Sequence, residues 1–213
     1  MTPGKQSFRA GGLFVISAPS GAGKTSLVKA LLERNPALTV SVSHTTRQRR
    51  PNETEGREYW FVSQQQFQDK LARGEFLEHA RVFDNYYGTG KATVDALLAG
   101  GRDVILEIDW QGARQVRQSA PGCTTIFILP PSRAALEERL RNRQTDSDSV
   151  IARRLQDAVG DMSHYLEFGY VVVNDDFDRA VRQLESILAG SGQALVSDRA
   201  ELEPLLNDLL GAP

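Results

Sequence analysis

The chain has 213 residues, 40% of them hydrophobic and 24% charged, which is the composition of an ordinary globular domain with its own core. Its formal net charge of −2 excludes the strong basic field with which many proteins bind nucleic acids, so we expect no nucleic-acid partner. The single cysteine, Cys123, excludes an intramolecular disulfide and a cysteine metal cluster, which fits a reducing compartment.

Residues 1–12 lack the apolar run of a secretory signal, and no later segment reaches the roughly 20 apolar residues of a membrane span. We therefore predict a short flexible leader and a cytoplasmic protein with no membrane partner. The folded part is predicted to begin with an apolar strand at Leu13–Ile16.

The segment after this strand, Ala18–Thr25, reads APSGAGKT and matches the phosphate-loop pattern if alanine is accepted at the first glycine position. Gly21 and Gly23 allow the backbone to turn its N–H groups toward a phosphate, and the next helix directs its N-terminus at the anion. Lys24 can bridge the β- and γ-phosphates, and the Thr25 hydroxyl can ligate Mg²⁺. The loop predicts nucleotide binding but leaves ATP hydrolysis, a GTP switch and phosphorylation of a small acceptor open.

A basic segment follows the next predicted strand, Thr39–Ser43, and opens an insertion at about 44–90 that we interpret as a small α+β subdomain. It carries Arg47, Arg50 and Tyr59. Arginine offers a planar fork of donors that suits a dianionic phosphate, and tyrosine adds a hydroxyl donor. Taken alone, the segment would be better interpreted as a solvated basic loop.

Two acidic residues lie on or after later strands: Glu78 on an alternating strand, and Asp109 after the apolar run Val104–Leu106. Carboxylates at the carboxyl end of a parallel strand lie where ligands bind in such sheets. A carboxylate can accept both the N1–H and the exocyclic amine of guanine, and adenine offers no such pair of donors. An ordinary surface charge is the alternative interpretation of each acid taken singly.

Further apolar strands are predicted at Thr125–Leu129 and Tyr170–Val173, with a polar, arginine-bearing flap between them. In residues 191–213, leucines at helical spacing predict a C-terminal extension that packs on the domain or forms an oligomer contact. Strands that are apolar on both faces and alternate with helices predict an α/β fold, a phosphate-loop NTPase-type parallel sheet covered by helices. The predicted helices are Lys24–Glu33, Gln64–Ala72, Ala92–Ala99, Gln111–Gln118, Arg133–Arg141, Ser149–Glu167 and Phe177–Leu188.

Seven motifs occur in a characteristic order: APSGAGKT, VSHTTRQRRP, GREYWFVS, FLEHA, NYYGT, LEIDWQGA and VVVNDD. On these motifs, the chain from about Leu13 to Leu188 resembles the guanylate kinase family, the bacterial-type nucleoside monophosphate kinases. The resemblance implies transfer of the γ-phosphoryl group of ATP to GMP, and to dGMP, in purine nucleotide metabolism and GMP recycling. It also implies Mg²⁺ as cofactor and a domain at 11–190 with a GMP-binding insertion at about 44–90 and a mobile lid at about 140–155.

The resemblance further implies roles for individual residues. The residues implied in ATP binding are Ala18, Pro19, Ser20, Gly21, Ala22, Gly23, Lys24, Thr25 and Asn174, with Thr25 as the Mg²⁺ ligand. Those implied in guanine recognition are Ser43, Glu78, Thr89 and Asp109, and those implied in binding the GMP phosphate are Arg47, Arg50, Tyr59 and Tyr87. The residues implied in catalysis are Lys24, Arg47, Arg50, Arg139, Arg143 and Arg154.

Two other functions are compatible with this order of motifs. Guanylate-kinase-like domains of scaffold proteins share the order but bind protein partners, and their phosphate loop is typically degraded. Here Gly23, Lys24 and Thr25 are all present, which favours an active kinase. A kinase for another nucleotide is the second alternative, and Glu78 with Asp109 argues against it.

Overall fold

The computed structural model describes residues 11–82, 84–142 and 148–211, and two sheets organise it. The strands are β1 (Leu13–Ser17), β2 (Leu38–Val40), β3 (His44–Thr45), β4 (Trp60–Phe61), β5 (Phe76–Val82), β6 (Asn85–Gly90), β7 (Asp103–Glu107), β8 (Thr124–Leu129) and β9 (Tyr170–Val173). A five-stranded parallel sheet has the order β2, β7, β1, β8, β9. A four-stranded mixed sheet has the order β4, β3, β6, β5.

The helices are α1 (Lys24–Arg34), α2 (Gln64–Ala72), α3 (Lys91–Ala99), α4 (Trp110–Ser119), α5 (Arg133–Arg141), α6 (Asp148–Met162), α7 (Phe177–Leu188) and α8 (Glu203–Leu210). The larger sheet is covered on both faces because its strands alternate buried apolar side chains. On β1, for example, Phe14 and Ile16 face the cluster formed with α1 and α7, whereas Val15 faces the cluster formed with α3 to α6 and α8. The α/β fold predicted from the sequence is confirmed.

The smaller sheet has a core of aromatic rings. Phe67 of α2 is fully buried and stacks on Phe76 and Tyr86, with ring centroids 4.5 and 5.5 Å apart. The Gln115 side chain of α4 bonds both the N–H and the carbonyl of His79 in β5, at 3.1 and 2.6 Å. This pair of hydrogen bonds fixes β5, and with it Glu78, against the larger sheet.

Several predicted element bounds match the structure, and others are wrong for local reasons. Helices α2, α5 and α7 begin and end where the sequence predicts. The helix predicted at Ser149–Glu167 ends at Met162, where the Ser163 hydroxyl bonds the Gly160 carbonyl at 2.7 Å. The strand predicted at Thr39–Ser43 ends at Val40, because the chain then crosses to the smaller sheet.

The two ends of the described chain are tied to the core. The Gly11 N–H bonds the Leu98 carbonyl at 3.2 Å, whereas residues 1–10 of the predicted leader lie outside the described residues. In the C-terminal extension Leu202 and Leu209 are buried in the main core, and Asp208 accepts the first N–H of α5 at 3.0 Å. Among the described residues, no helix has both the length and the apolar character needed to cross a bilayer.

Candidate active site

The phosphate loop joins β1 to α1 and requires glycine at two positions. Gly21 and Gly23 adopt φ angles of 91° and 95°, in the left-handed region that side chains with a Cβ disfavour. A Cβ at Gly23 would also collide with the Asn174 amide. The loop therefore has the backbone conformation that the sequence motif predicts, with its amides at the start of α1.

The first two side chains of α1 reach the carboxyl end of β7. Lys24 Nζ donates to the Ile108 carbonyl at 3.2 Å, and Thr25 Oγ1 donates to Glu107 Oε2, also at 3.2 Å. Glu107 is not among the site residues predicted from the sequence. Its signal is an acid at the end of a strand that neighbours the strand before the phosphate loop. The Thr25 hydroxyl and the Glu107 carboxylate are both oxygen donors, the type that Mg²⁺ prefers.

Two residues predicted on the ATP side brace the phosphate loop from behind. Asn174 is buried, and its side-chain amide donates to the Ala22 carbonyl at 2.7 Å. Arg139 donates to the Asn174 carbonyl at 3.0 Å and to the Ala22 carbonyl at 3.5 Å. Arg139 also lines a second, open cavity beside the loop, together with Phe177.

A chain of hydrogen bonds joins three of the residues predicted to recognise guanine. The Thr89 hydroxyl donates to Glu78 Oε1 at 2.5 Å, so the Ser43 hydroxyl, 3.2 Å from Thr89, is the donor in that contact. The fourth, Asp109, caps α4 by accepting the Gly112 N–H at 2.8 Å. The capping bond fixes the Asp109 carboxylate beside Glu78.

Both acids of this pocket are shielded from water. Glu78 is 2% exposed, and burial, reinforced by the nearby charge of Asp109, raises its pKa to about 7 although Thr89 acts in the opposite direction. Burial also raises the pKa of Asp109, against the stabilising N–H of Gly112 and the charge of Lys24. A ligand that donates hydrogen bonds to these carboxylates would favour their ionised forms.

Gly112 provides the space that the Glu78 carboxylate occupies, which the sequence analysis did not detect. A Cβ built there overlaps Glu78 Oε2, and the neighbouring Asp109 Oδ1 lies 3.4 Å from it. Alanine is otherwise the better helix former. The glycine is therefore explained by close approach and not by local helix preference.

If Glu78 recognises guanine, as the family resemblance implies, Gly112→Ala should raise the KM for GMP about 10- to 100-fold, because displacing a recognition group by about 1 Å has effects of that size. The matched control is Gly160→Ala, which makes the same change in α6 where a Cβ meets nothing within 4 Å. Steady-state kinetics with GMP varied at saturating ATP measures the effect. An unchanged KM for GMP in Gly112→Ala would contradict the importance of the Glu78 position.

The residues predicted to bind the acceptor phosphate cluster around one arginine. The Arg47 guanidinium carbon lies 5.5 Å from the centroid of the Tyr59 ring, and Tyr59 contacts Tyr87 edge to face at 5.8 Å. Burial and the neighbouring phenol of Tyr87 raise the pKa of Tyr59 to about 12, so its hydroxyl stays a donor. Arg47 is held by Glu53 at 2.7 Å, and the Arg50 side chain is mostly exposed.

The predicted lid arginines are only partly described. Arg154 lies half-buried on α6, and Arg143 lies outside the described residues.

Asp161, near the C-terminal end of α6, was not predicted as a site residue. Asp161 accepts the Trp110 indole N–H at 3.1 Å and faces the same cavity as Asp109.

One cavity of about 320 Å³ is lined both by the phosphate loop and by the acids Glu78 and Asp109. It opens to the phosphate loop on one side and to the two acids on the other. The described candidates that lie outside its lining are Ala22, Arg47, Arg50, Thr89, Arg139, Arg154 and Asn174. The predicted site residues that line it are Ala18, Pro19, Ser20, Gly21, Gly23, Lys24, Thr25, Ser43, Tyr59, Glu78, Tyr87 and Asp109.

The chain is similar to known proteins over most of its length. The family model described as guanylate kinase matches residues 11–191. A guanylate kinase of Methylococcus capsulatus is 58% identical over 199 residues, covering 93% of this chain and 98% of its own. A guanylate kinase of Escherichia coli K12 is 50% identical over 202 residues, covering 94% and 98%.

A solved structure agrees with these relatives in fold. The crystal structure of guanylate kinase from Anaplasma phagocytophilum superposes with a TM-score of 0.71 at 32% sequence identity. The superposition covers 93% of this chain and 95% of the other. Together with the phosphate loop and the paired acids in one cavity, these similarities establish that the chain belongs to the guanylate kinase family.

Proposed function

We propose that this chain transfers the γ-phosphoryl group of ATP to GMP, the reaction of its family, in the cavity between its two sheets, with Mg²⁺ bound to the ATP. The observation that carries the proposal is the opening of one cavity both to the phosphate loop and to Glu78 and Asp109. ATP and GMP can therefore meet in a single space. dGMP, which has the same base and phosphate, is the second acceptor we expect.

The base would be read by carboxylates and hydroxyls. Glu78 would accept the N1–H and the exocyclic amine of guanine, and Asp109, whose carboxylate lies beside the same Gly112 position, would share the amine. The hydrogen-bonded chain through Thr89 and Ser43 holds Glu78 in place. Adenine offers no matching pair of donors, and its binding would leave buried carboxylates without partners, which is costly.

The acceptor phosphate would be held by Arg47, Arg50, Tyr59 and Tyr87. Its attacking oxygen needs no general base, because the second pKa of a phosphomonoester is about 6 and the group is largely dianionic at neutral pH. Catalysis then consists of positioning and charge neutralisation. The high pKa of Tyr59 supports a neutral hydroxyl that donates to this phosphate.

On the donor side, the loop amides and Lys24 would hold the β- and γ-phosphates of ATP. The Thr25 hydroxyl, with the Glu107 carboxylate 3.2 Å away, fits a site for Mg²⁺. When bound, Mg²⁺ neutralises charge on the phosphate oxygens. The hydrogen bond between Thr25 and Glu107 orients the two side chains, and both residues line the cavity.

Arginines from α5 and from the lid would complete the site on closure. Arg139 already contacts the carbonyl groups behind the phosphate loop, and Arg154 lies on α6 within the predicted lid segment. We assign Arg143 to the same role, as the family resemblance implies. Closure would exclude water, which could otherwise accept the phosphoryl group.

A coupled ADP-release assay tests the proposal. The full chain is supplied with ATP and Mg²⁺ and offered GMP, AMP, CMP or UMP in parallel, with one sample lacking any acceptor. We expect ADP release with GMP and not with the other nucleotides. Release without an acceptor would indicate an ATPase, and no release at all would favour a protein-binding module.

The cellular location and the oligomeric state of the chain are two further properties. We infer a cytoplasmic location, supported by the use of a single cysteine. The C-terminal extension packs on its own core through Leu202 and Leu209, and a homo-oligomer would use other surfaces or the exposed side of α8. Fractionation of tagged cells and light scattering of the pure chain test these two inferences.

A further inference from the structure

Glu53 lies in the arginine-rich turn, and its two carboxylate oxygens contact two different arginines. Oε1 accepts a hydrogen bond from Arg47 Nη2 at 2.7 Å, and Oε2 accepts the main-chain N–H of Arg50 at 2.8 Å. The Glu53 N–H in turn donates to the Arg50 carbonyl at 3.1 Å. One carboxylate therefore fixes both the side chain of Arg47 and the backbone of Arg50.

The ion pair between Arg47 and Glu53 is shielded, and this distinguishes it from an ordinary surface pair. The two side chains are 16% and 13% exposed, whereas the Arg50 side chain is 63% exposed and its Nη1 lies 3.9 Å from Glu53. Burial acts to raise the pKa of Glu53, but the hydrogen bonds from Arg47 and the Arg50 N–H outweigh it and lower the pKa. The Glu53 carboxylate therefore stays ionised at neutral pH.

The other contacts of Arg47 complete its immobilisation. Its Nη1 donates to the Gln48 carbonyl at 2.8 Å, and its guanidinium carbon lies 5.5 and 5.9 Å from the ring centroids of Tyr59 and Phe61. Ordering an arginine side chain costs up to about 2 kcal/mol of rotamer freedom. Here that cost is met when the protein folds and not when a ligand binds.

We propose that Glu53 is a positioning residue for the acceptor phosphate. It holds Arg47 and the Arg50 backbone in the arrangement that binds the phosphate of GMP, without touching the nucleotide. The Arg50 guanidinium, which is 63% exposed and only loosely paired with Glu53, turns to the phosphate when GMP binds. The inference rests on the proposed function, in which Arg47 and Arg50 bind that phosphate. If Glu53 instead competed with the phosphate for Arg47, removing its charge would lower the KM for GMP.

Glu53→Gln tests the inference because it removes the charge and keeps the size. We expect the KM for GMP to rise about 5- to 30-fold and the KM for ATP to change less than about twofold. The matched control is Glu58→Gln in the same turn, where the carboxylate also accepts a main-chain N–H, that of Thr54 at 2.7 Å, but pairs with Arg57. If Glu53→Gln fails to fold, Glu53→Asp, which keeps the charge and shortens the reach, replaces it with the same directions of change.

A double-mutant cycle separates positioning from general support of the fold. Arg47→Ala is made in the native and the Glu53→Gln backgrounds, and we expect Glu53→Gln to add less than about twofold once Arg47 is absent. An unchanged or lowered KM for GMP in Glu53→Gln, an equal rise in both KM values, or full additivity with Arg47→Ala would overturn the inference. An unchanged KM for GMP in Arg47→Ala alone would instead overturn the proposed role of Arg47 itself, and the inference with it.

Discussion

Lys24→Ala is expected to lower kcat by about 10²- to 10³-fold and to leave the affinity for GMP within about threefold. Lys24 begins α1 at the phosphate loop, and its ammonium lies at the carboxyl end of β7, 3.2 Å from the Ile108 carbonyl. There it can neutralise the charge that develops as the γ-phosphoryl group moves. The acceptor phosphate is proposed to contact Arg47 and Arg50 instead, so its binding should persist.

The control for this variant is Lys29→Ala, which removes the same charge from α1 at a side chain that is 74% exposed. Rapid-quench kinetics measures the chemical step, and equilibrium titration measures GMP binding in the absence of ATP. A loss of GMP binding as large as the loss of kcat would contradict the separation of donor and acceptor sites. An unchanged kcat would remove Lys24 from the catalytic group.

Glu78→Gln is expected to raise the KM for GMP about 100-fold. The amide keeps one acceptor oxygen for the Thr89 hydroxyl, but it presents an NH₂ group where guanine presents donors. Charged hydrogen bonds contribute about 1.5–3 kcal/mol each, and a donor facing a donor adds to the loss. Combined with Asp109→Asn, the change should also reduce the preference for GMP over AMP, and a double variant that kept full guanine specificity would refute the role of both acids.

Glu78→Gln alone should also increase the thermal stability of the protein above about pH 4.5. Because the pKa of Glu78 is about 7 in the folded protein and ordinarily 4.5, the folded protein binds this proton more tightly than the unfolded chain. Its contribution to the free energy of unfolding is therefore highest below pH 4.5 and falls as the pH rises to 7. Glutamine does not titrate, so Glu78→Gln should gain stability relative to the native chain over that window, about 5 °C in Tm at pH 8.

Thermal melts at pH 4.5, 6 and 8 measure this difference, with Glu33→Gln on the exposed side of α1 as control. The Tm of the control should track that of the native chain at each pH. A Tm difference for Glu78→Gln that stays constant across the series would show that the Glu78 carboxylate does not carry the burial cost. In that case its pKa is not raised.

Local signals in the sequence predicted much of the fold. Three such signals depend on nearby residues alone: the phosphate-loop motif, the helical pattern of α2 and the β-branched run of β9. The capping box that Ser63 and Gln66 form at the start of α2 is equally local. The strand β6 was not predicted, because Asn85–Gly90 is rich in glycine and lacks aliphatic alternation. It forms because β3 and β5 pair with it on both sides.

The candidate site was predicted where motifs exist and missed where only proximity in space reveals a residue. Gly112 matters because it lies against Glu78, Asp161 because it accepts from Trp110, and Glu53 because it pairs with Arg47. No sequence motif indicates these contacts. Glu107 had a weak signal in its place at a strand end. The roles of the motif residues themselves stay predictions until the variants are measured.

The hydrogen bond from Asn174 to the Ala22 carbonyl has a consequence for synthesis of the protein. It joins residues 152 positions apart, so the nucleotide loop cannot take its final shape until most of the chain has been made. At about 5–20 residues per second, the loop waits roughly 8–30 s after it is synthesised. Strand β1 pairs with β8 through Phe14 and Thr124, so one edge of this hydrophobic strand stays unpaired in the nascent chain until β8 has also been made.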